Sequence, residues 1–403
     1  MLTQPLFGRR LRQLRQQQGM TRADLIGPGM SPAYLSRLES GARPPTERAV
    51  RLLAERLQVP ASAFDVSDPS DLVDVLAAAM AAESASMSGE LEHRLEEALE
   101  SEKEADRALR WQAYSQLARI RGDGGDRPAE QQALTELVRL GDELGYAQLR
   151  IHSRLRLARC QRALGAIEEA RVTARAGLDI GEGLSLTDPD TLRCRLLLIS
   201  VTAEIGDLAE AGRLSTQACA ALGEDARGAT AAETLWTAAT LSTRLGNHDQ
   251  SAKLLHRAIG ALDSRENLTL WMRLRLAGAD LVMQAEPVDV AQARTYLEEV
   301  EPAVGLVGNR LHEQEHAFLE ARLAHLEGDL PTAARLCAKA SQGLEHMSFR
   351  DRVRLELLTE QIRLAQGGTR DDGKLRQLAL DAQHRGMLDL TTQIWRAIAE
   401  IRD

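Results

Sequence analysis

Apolar residues recur at three- and four-residue spacing along nearly the whole chain, which predicts helix after helix. Near the start, Phe7, Leu11 and Leu14 keep that spacing, with Arg9, Arg10, Arg12 and Arg15 interleaved. Leu25, Leu35 and Leu38 follow, and Val50, Leu53, Ala54 and Leu57 form the stripe of a helix starting near Thr46. About five helices in roughly 60 residues around one small core are expected there. After a loop from Ser67 to Asp71, the residues Leu72, Val75, Leu76 and Met80 share a stripe. Ser84 to Gly89 reads as a break. Leu91, Leu95 and Leu99 then make a narrow apolar seam in a run holding seven Glu between residues 90 and 104. Such a seam suits a packed linker helix or a helix contact in a dimer.

From 104 onward the pattern repeats. Gly124, Gly165, Gly206, Gly246, Gly328 and Gly367 recur at intervals of roughly 40 residues, with one gap of about two periods between Gly246 and Gly328. Glu286 stands where the long gap lacks its glycine. Five residues after these marks come Ala129, Ala170, Ala211, Ser251, Ala291 and Ala333. Each mark ends one helix, and the small residue lets the next cross it closely. About seven such pairs make an α-solenoid in which each pair buries its face on its neighbours. The last unit is degenerate, with Asp372 in the small-residue place, and a helix from Leu388 to Ile401 caps the stack.

One short stretch is more specific. Ser31 is placed to cap a helix, Pro32 fits its first turn, Leu35 and Leu38 share a face, and Gly41 stops it. Ala33, Ser36 and Arg37 are left on the outer face. Upstream, Thr21-Arg22-Ala23-Asp24 has capping-box geometry and opens a second short helix ending at Gly27-Pro28-Gly29. Two short helices joined by a glycine turn read as a helix-turn-helix.

Charge sharpens this. The net charge of −9 is the sum of +5 over residues 1–65, which hold ten Arg and no Lys, and −14 over the rest. A basic head on an acidic body fits a DNA-binding module attached to something else. Aromatics at 3% disfavour sheets. Cys160, Cys194, Cys219 and Cys337 form no C-x-x-C pair and read as buried thiols of a reducing cytosol. The start lacks a signal-peptide layout, and the apolar stretch from Leu72 to Ala82 is too short to span a bilayer. A cytoplasmic protein with no membrane partner is expected.

Gly8-Arg9-Arg10-Leu11-Arg12-Gln13-Leu14-Arg15, Gly19-Met20-Thr21 and Ser31 through Gly41, with Pro44-Pro45, resemble the phage-repressor-like (lambda-repressor, XRE-type) helix-turn-helix family over roughly residues 7–60. Arg22 takes a place where that family usually has Gln, and the Leu25 to Ser31 interval is one residue shorter than its pattern and contains Pro28. The resemblance implies that Pro32, Ala33, Ser36 and Arg37 face base edges after the Ser31 cap. It makes Arg22, Arg43 and Arg10 phosphate contacts, and pairs Arg15 with Glu39. The grammar Gly206-Asp207-Leu208-Ala209-Glu210-Ala211 is similar to the tetratricopeptide repeat, although the period here is longer than is usual for that repeat.

The expected architecture is therefore all-α. A five-helix DNA-binding domain spans 1–66, a helical linker and possible dimer contact spans 67–103, and a right-handed solenoid of about seven tetratricopeptide-like pairs spans 104–403. The combination resembles the peptide-responsive quorum-sensing regulators of bacteria. It implies a homodimer on double-stranded operator DNA, controlled by a signalling peptide or small-molecule effector. First helices of such pairs line the concave surface, and counting back from the turn marks places Trp111, Tyr114, Arg121, His152, Arg159, Arg162, Arg193, Ser200, Glu233, Trp236, Arg244, Arg273, Asp280, Arg322 and Arg354 there. Arg159, Arg162, Arg193, Trp236, Arg244, Arg273, Trp111 and Tyr114 are the candidate ligand contacts, because Arg grips carboxylates bidentately. In those regulators concave Asn residues often hold the peptide backbone, whereas this body has only Asn247, Asn267 and Asn309. The alternative is a constitutive DNA-binding scaffold whose repeats dock a partner protein.

His312-Glu313-Gln314-Glu315-His316 matches H-E-x-x-H, a zinc-peptidase signature when on a helix. His325, Glu327 and Glu345 are possible third ligands. The stretch also falls in phase at the start of a repeat helix, which accounts for it without metal. With no other enzyme signature present, no catalytic residue, metal or cofactor is expected.

Overall fold

The computed structural model describes residues 4, 6–64, 71–81, 88–103, 105–184, 188–223, 225–368 and 373–402. The expected loop at Ser67–Ser70, most of the break after Ser84, and Asp372 lie outside the described residues. Among the described residues there are twenty α-helices and no strand, only an isolated bridge between Gly27 and Met30. The chain forms two compact units, residues 1–116 and 117–403.

The N-terminal unit begins with α1 (Leu6–Gln17), α2 (Pro32–Glu39) and α3 (Glu47–Leu57). Phe7, Leu11, Leu14, Leu25, Leu35, Leu38, Leu53 and Leu57 are buried together, and Phe64 stacks on Phe7 at 5.3 Å. The five expected helices are present as three α-helices and two short 3-10 helices, Ala23–Leu25 and Ala61–Phe64. The helix expected after Thr21 is a single 3-10 turn. Thr21 spends its hydroxyl on the Asp24 carboxylate (2.7 Å) rather than on a backbone amide. Gly27 and Met30 then exchange backbone bonds around Pro28-Gly29, leaving no room for another helical turn.

α4 (Leu72–Ala81) and α5 (Ser88–Ser101) pack on one another. Leu91, Leu95, Ala98 and Leu99 are buried, as are Leu72, Val75, Leu76 and Ala79. The seam, expected in a packed linker helix or a dimer contact, is buried inside its own unit. Met80, expected on the stripe, is 64% exposed, and Ala79 takes its place. The unit ends within α6 (Arg107–Asp123) rather than at 103.

The C-terminal unit continues with α7 (Arg127–Leu144), α8 (Ala147–Leu164), α9 (Ile167–Gly183), α10 (Pro189–Ile205) and α11 (Leu208–Ala220). It goes on through α12 (Ala229–Arg244), α13 (His248–Gly260), α14 (Leu268–Val282), α15 (Val290–Val307) and α16 (Arg310–Leu326). It closes with α17 (Leu330–Ala340), α18 (Phe349–Ala365), α19 (Gly373–His384) and α20 (Leu388–Arg402). From α6–α7 to α18–α19 these are seven helix pairs, with α20 left over as the expected cap.

Four of the seven pairs share one turn chemistry. Asp126, Asp207, Asp289 and Asp329 cap their second helices, each carboxylate accepting the N–H three residues on at 3.0–3.1 Å. The buried small residue comes four after the cap position, as Ala170, Ala211, Ser251, Ala293 and Ala333. That shifts two expected positions. Ala291 is exposed because Glu286-Pro287-Val288 lengthens the turn, so Ala293 is the crossing point. In the first pair Gly125, not Gly124, adopts the left-handed conformation (φ 82°), so Glu130 replaces Ala129 there and packs on Gly122.

The last pair returns to the second and third. Phe349, Val353 and Leu357 of α18, and Leu390 and Ile394 of α20, share a core with Ile151, Leu155 and Leu198. Arg385 donates to the Leu164 carbonyl at 2.8 Å. A Cβ on Gly165 would lie 3.2 Å from the Phe349 ring, so glycine here serves both the left-handed turn and the close approach.

Candidate nucleic-acid interface and inner charged surface

In the N-terminal unit, Ser31 caps α2 by accepting the Tyr34 N–H at 3.2 Å, and Pro32 occupies the first turn. Leu35 and Leu38 bury one face of α2, which leaves Pro32, Ala33, Ser36 and Arg37 exposed on the other. α1 holds α2 at close range. A Cβ on Gly8 would fall 2.4 Å from the Leu38 carbonyl oxygen.

A buried carboxylate fixes the turn. Glu39 has no exposed side-chain surface and accepts from Arg15 Nε at 2.7 Å and from Arg22 Nε at 2.6 Å. Arg15 also donates to the Met20 carbonyl, so α1, the 3-10 turn and α2 are tied at one point. Arg22 is therefore partly spent on structure, although half of its side chain stays exposed. Arg10 donates to the Ala63 carbonyl (2.9 Å) and to Gln13 (3.0 Å), which makes it a clamp on the second 3-10 turn. Arg43 lies over the Tyr34 ring at 5.0 Å, at the end of the outward face of α2. The result is an exposed helix face of small residues and Arg37, flanked by arginines. That surface is able to enter a major groove.

The inner surface of the C-terminal unit is built by α8, α10, α12, α14, α16 and α18. Most of its charges are paired. Glu204, 1% exposed, receives Arg162 at 2.6 Å and Arg244 at 3.3 Å, with Arg350 at 3.7 Å. Asp389 of α20 receives Arg350 at 2.7 Å and Arg244 at 3.5 Å. Burial alone would raise the Glu204 carboxyl, but the charges of Arg162, Arg350 and Arg244 outweigh it and hold it well below the usual carboxylate range. Asp280 likewise accepts from Arg322 (2.6 Å), Arg354 (2.5 Å) and Gln284 (2.8 Å). Burial pushes it up and the two arginines pull it further down.

Arg162 and Arg244, expected as ligand contacts, are thus the arms of a structural hub. The space beside them, lined by Ile199, Ser200, Thr237 and Thr240, is only about 20 Å³, room for one water. Arg193 is held by Glu233 (3.1 Å) and Asp190 (3.4 Å), and His152 lies 2.8 Å from Asp190. Trp111 and Tyr114 belong to the N-terminal unit, where Arg110 stands 5.8 Å over the Tyr114 ring.

Three inner residues differ from these. Arg159, Arg273 and Glu315 make no hydrogen bond or ion pair with the described residues. Arg273 lies 5.4 Å over the Trp236 ring. Arg159 is exposed, yet burial by surrounding protein and the charges of Arg273 and Arg193 lower its pKa. An exposed group in dense surroundings marks a concave wall. Glu315 is pushed up to about 7, by burial first and then by Asp351. The sequence reading missed Glu315 because it sits inside the H-E-x-x-H stretch. Yet it stands as far before Gly328 as Arg193 stands before Gly206 and Glu233 before Gly246, the interval that placed those two on this surface.

The two histidines of that stretch have structural tasks. His312 completes a capping box with Asn309, its Nδ1 accepting the Asn309 N–H at 3.2 Å. His316 is buried, with Nε2 3.4 Å from the Leu297 carbonyl. Among the described residues no three His, Cys, Asp or Glu side chains are grouped to hold a metal. Burial pushes the Cys160 and Cys194 thiols up to about 12, which leaves them protonated at neutral pH. No described helix is long and apolar enough to cross a membrane.

Residues 6–65 match the helix-turn-helix domain family. No curated protein matches the chain's sequence. Among solved structures, the chain is similar to a Rap protein complexed with competence and sporulation factor. Their identity is 10%, the match covers 98% of this chain and 97% of that one, and the TM-score is 0.55. It is also similar to the apo form of the quorum sensor NprR from B. thuringiensis, at 13% identity over 89% of this chain and 94% of that one, with a TM-score of 0.50. At these identities the likeness is one of fold. An all-helical repeat architecture is common ground between the sequence and these structures.

Proposed function

We propose that the chain is a transcription regulator that binds operator DNA through α2 and answers to an effector held on the inner surface of its solenoid. The observation that carries the first half is the outward face of α2, where Ala33, Ser36 and Arg37 stand exposed on a rigidly capped helix within the matched helix-turn-helix segment. Arg37 reads guanine O6 and N7 in bidentate fashion, and Arg43 and the exposed part of Arg22 reach phosphates. A homodimer places two such helices on half-sites about 34 Å or a multiple apart. A cytoplasmic location follows from a chromosomal target.

The second half is supported by the inner surface, where Arg273 lies over Trp236 and Arg159 stays exposed, neither in an ion pair with the described residues. Solenoids of this fold include a quorum sensor and a protein complexed with competence and sporulation factor, and the effector here is a peptide or a small molecule. In vitro selection from random DNA tests the reading. Enrichment of a two-part site is expected, and Arg37→Ala is expected to relax one position in each half by about 1–3 kcal/mol. Equal protection of random DNA by wild type and Arg37→Ala refutes it.

A further inference from the structure

One register runs around the inner surface: His152, Arg193, Glu233, Arg273, Glu315 and Arg354, on α8, α10, α12, α14, α16 and α18, each one repeat period after the last. Four of the six are neutralised by protein. His152 meets Asp190, Arg193 meets Glu233, and Arg354 meets Asp280. Arg273 and Glu315 follow one another in the same row and have opposite charge, yet they do not pair. Arg273 is turned onto Trp236, on the side of Arg159, and Glu315 is left half-buried without a hydrogen bond to the described residues. Leaving a carboxylate and a guanidinium unpaired at neighbouring places costs free energy that a direct ion pair would recover.

We infer that this gap is a binding site for an amphoteric ligand, whose carboxylate is held by Arg273 and Arg159 and whose ammonium group is held by Glu315. The inference rests on the reading of the inner surface as an effector site and names the chemistry of that effector. Trp236, under the Arg273 guanidinium, supplies an apolar face at the carboxylate end. Arg162, Arg244 and Arg322 have no part in it, being committed to Glu204 and Asp280.

The charged groups around Glu315 set a pH dependence. It is faced by Asp351 and Asp280, which disfavour its ionisation, and by Arg273 and Arg354, which favour it. His312, one turn earlier, is pushed down by burial and by Arg273 and is neutral at pH 7. The ammonium needs the ionised carboxylate. With Glu315 titrating at about 7, affinity is full above that pH and falls about fivefold between pH 8 and pH 6. Protonation of His312 at still lower pH adds a cation and acts in the same direction.

The test uses the full-length protein and a series of ω-amino acids from 3-aminopropanoate to 8-aminooctanoate. Calorimetry compares each with the alkyl carboxylate and the alkylamine of equal length. Triglycine and pentaglycine carry the same two charges on a peptide backbone and tell a peptide source from a non-peptide one. One amphoteric probe is expected to bind about tenfold tighter than either single-charge parent, the worth of one further charge-assisted bond. Glu315→Gln is expected to remove that gain and the pH dependence while sparing the carboxylate parent, and Arg273→Gln to weaken the carboxylate parent. Amphoteric probes that bind no better than carboxylates at every length overturn the inference, as does a fall in affinity between pH 8 and pH 6 that survives Glu315→Gln undiminished. A protein that selects operator DNA but treats all probes alike keeps the regulator reading and loses this one. Amphoteric binding without DNA selection does the reverse.

Discussion

Replacing Glu204 by glutamine keeps the shape of the side chain and removes its charge. In the wild type that carboxylate is 1% exposed and sits between Arg162, Arg244 and Arg350, which come from α8, α12 and α18. With Gln there, Arg244 and Arg350 keep only the carboxylate of Asp389 and Arg162 loses its ion-pair partner. Removing one partner of a buried pair costs about 3–5 kcal/mol, and the extra cations place this case at the upper end. For a unit of this size each kcal/mol moves the melting temperature by about 2–4 °C, so Glu204→Gln is expected to lower it by roughly 10 °C or more. The pH dependence gives an independent check. The carboxyl is held below its ordinary value of 4.5 in the folded chain, so its contribution is fully present above about that pH and is lost as pH falls toward the folded value. The gap between wild type and variant is therefore flat from pH 5.5 to 8 and closes below about 4.5. Calorimetric melting of both proteins at five or six pH values measures it. A loss under about 1 kcal/mol, or a gap that persists undiminished at pH 3, refutes the assignment of Glu204 as the hub.

Arg43→Ala is expected to weaken binding to all DNA sequences alike and to flatten the salt dependence by about one unit, read from binding titrations across a salt series. Glu39→Gln is expected to destabilise the N-terminal unit by about 3 kcal/mol or more, because Arg15 and Arg22 lose their shared acceptor. Its melting and its DNA affinity should fall together.

Much of this was readable from the chain because it is local. Ser31, Pro32, Leu35 and Leu38 specify α2 from within or just before it, and the glycine marks specify where each helix pair turns. The misreadings share a cause, which is that the deciding partner lies far away or in a loop. Thr21 and Asp24 have the letters of a helix start, but the backbone reversal at Gly27 to Met30 allows only one 3-10 turn. Ala291 has the right count but the wrong place, since the lengthened turn passes the crossing to Ala293. Arg162 and Arg244 carry the same sequence signal as Arg159 and Arg273. Only the fold reveals that Glu204, one repeat period from each, has taken the first two. Arg10 looks like an outward cation until the carbonyl of Ala63 is brought beside it.

The bond from Arg385 to the carbonyl of Leu164 spans 221 residues of sequence. An open repeat array behaves like a zipper: its ends fray, and each unit leans only on the next. Here the final helices sit on the second and third pairs, so the last end cannot loosen without stripping apolar surface from helices near the first. Cooperativity is thereby extended from the second pair to the last helix, and the contact that closes it is the one whose formation must wait for every turn in between to be in register. Chains cut short before α18 would consequently be not a shorter solenoid but an unfastened one, with Ile151, Leu155 and Leu198 partly uncovered and the arginines around Glu204 rearranged.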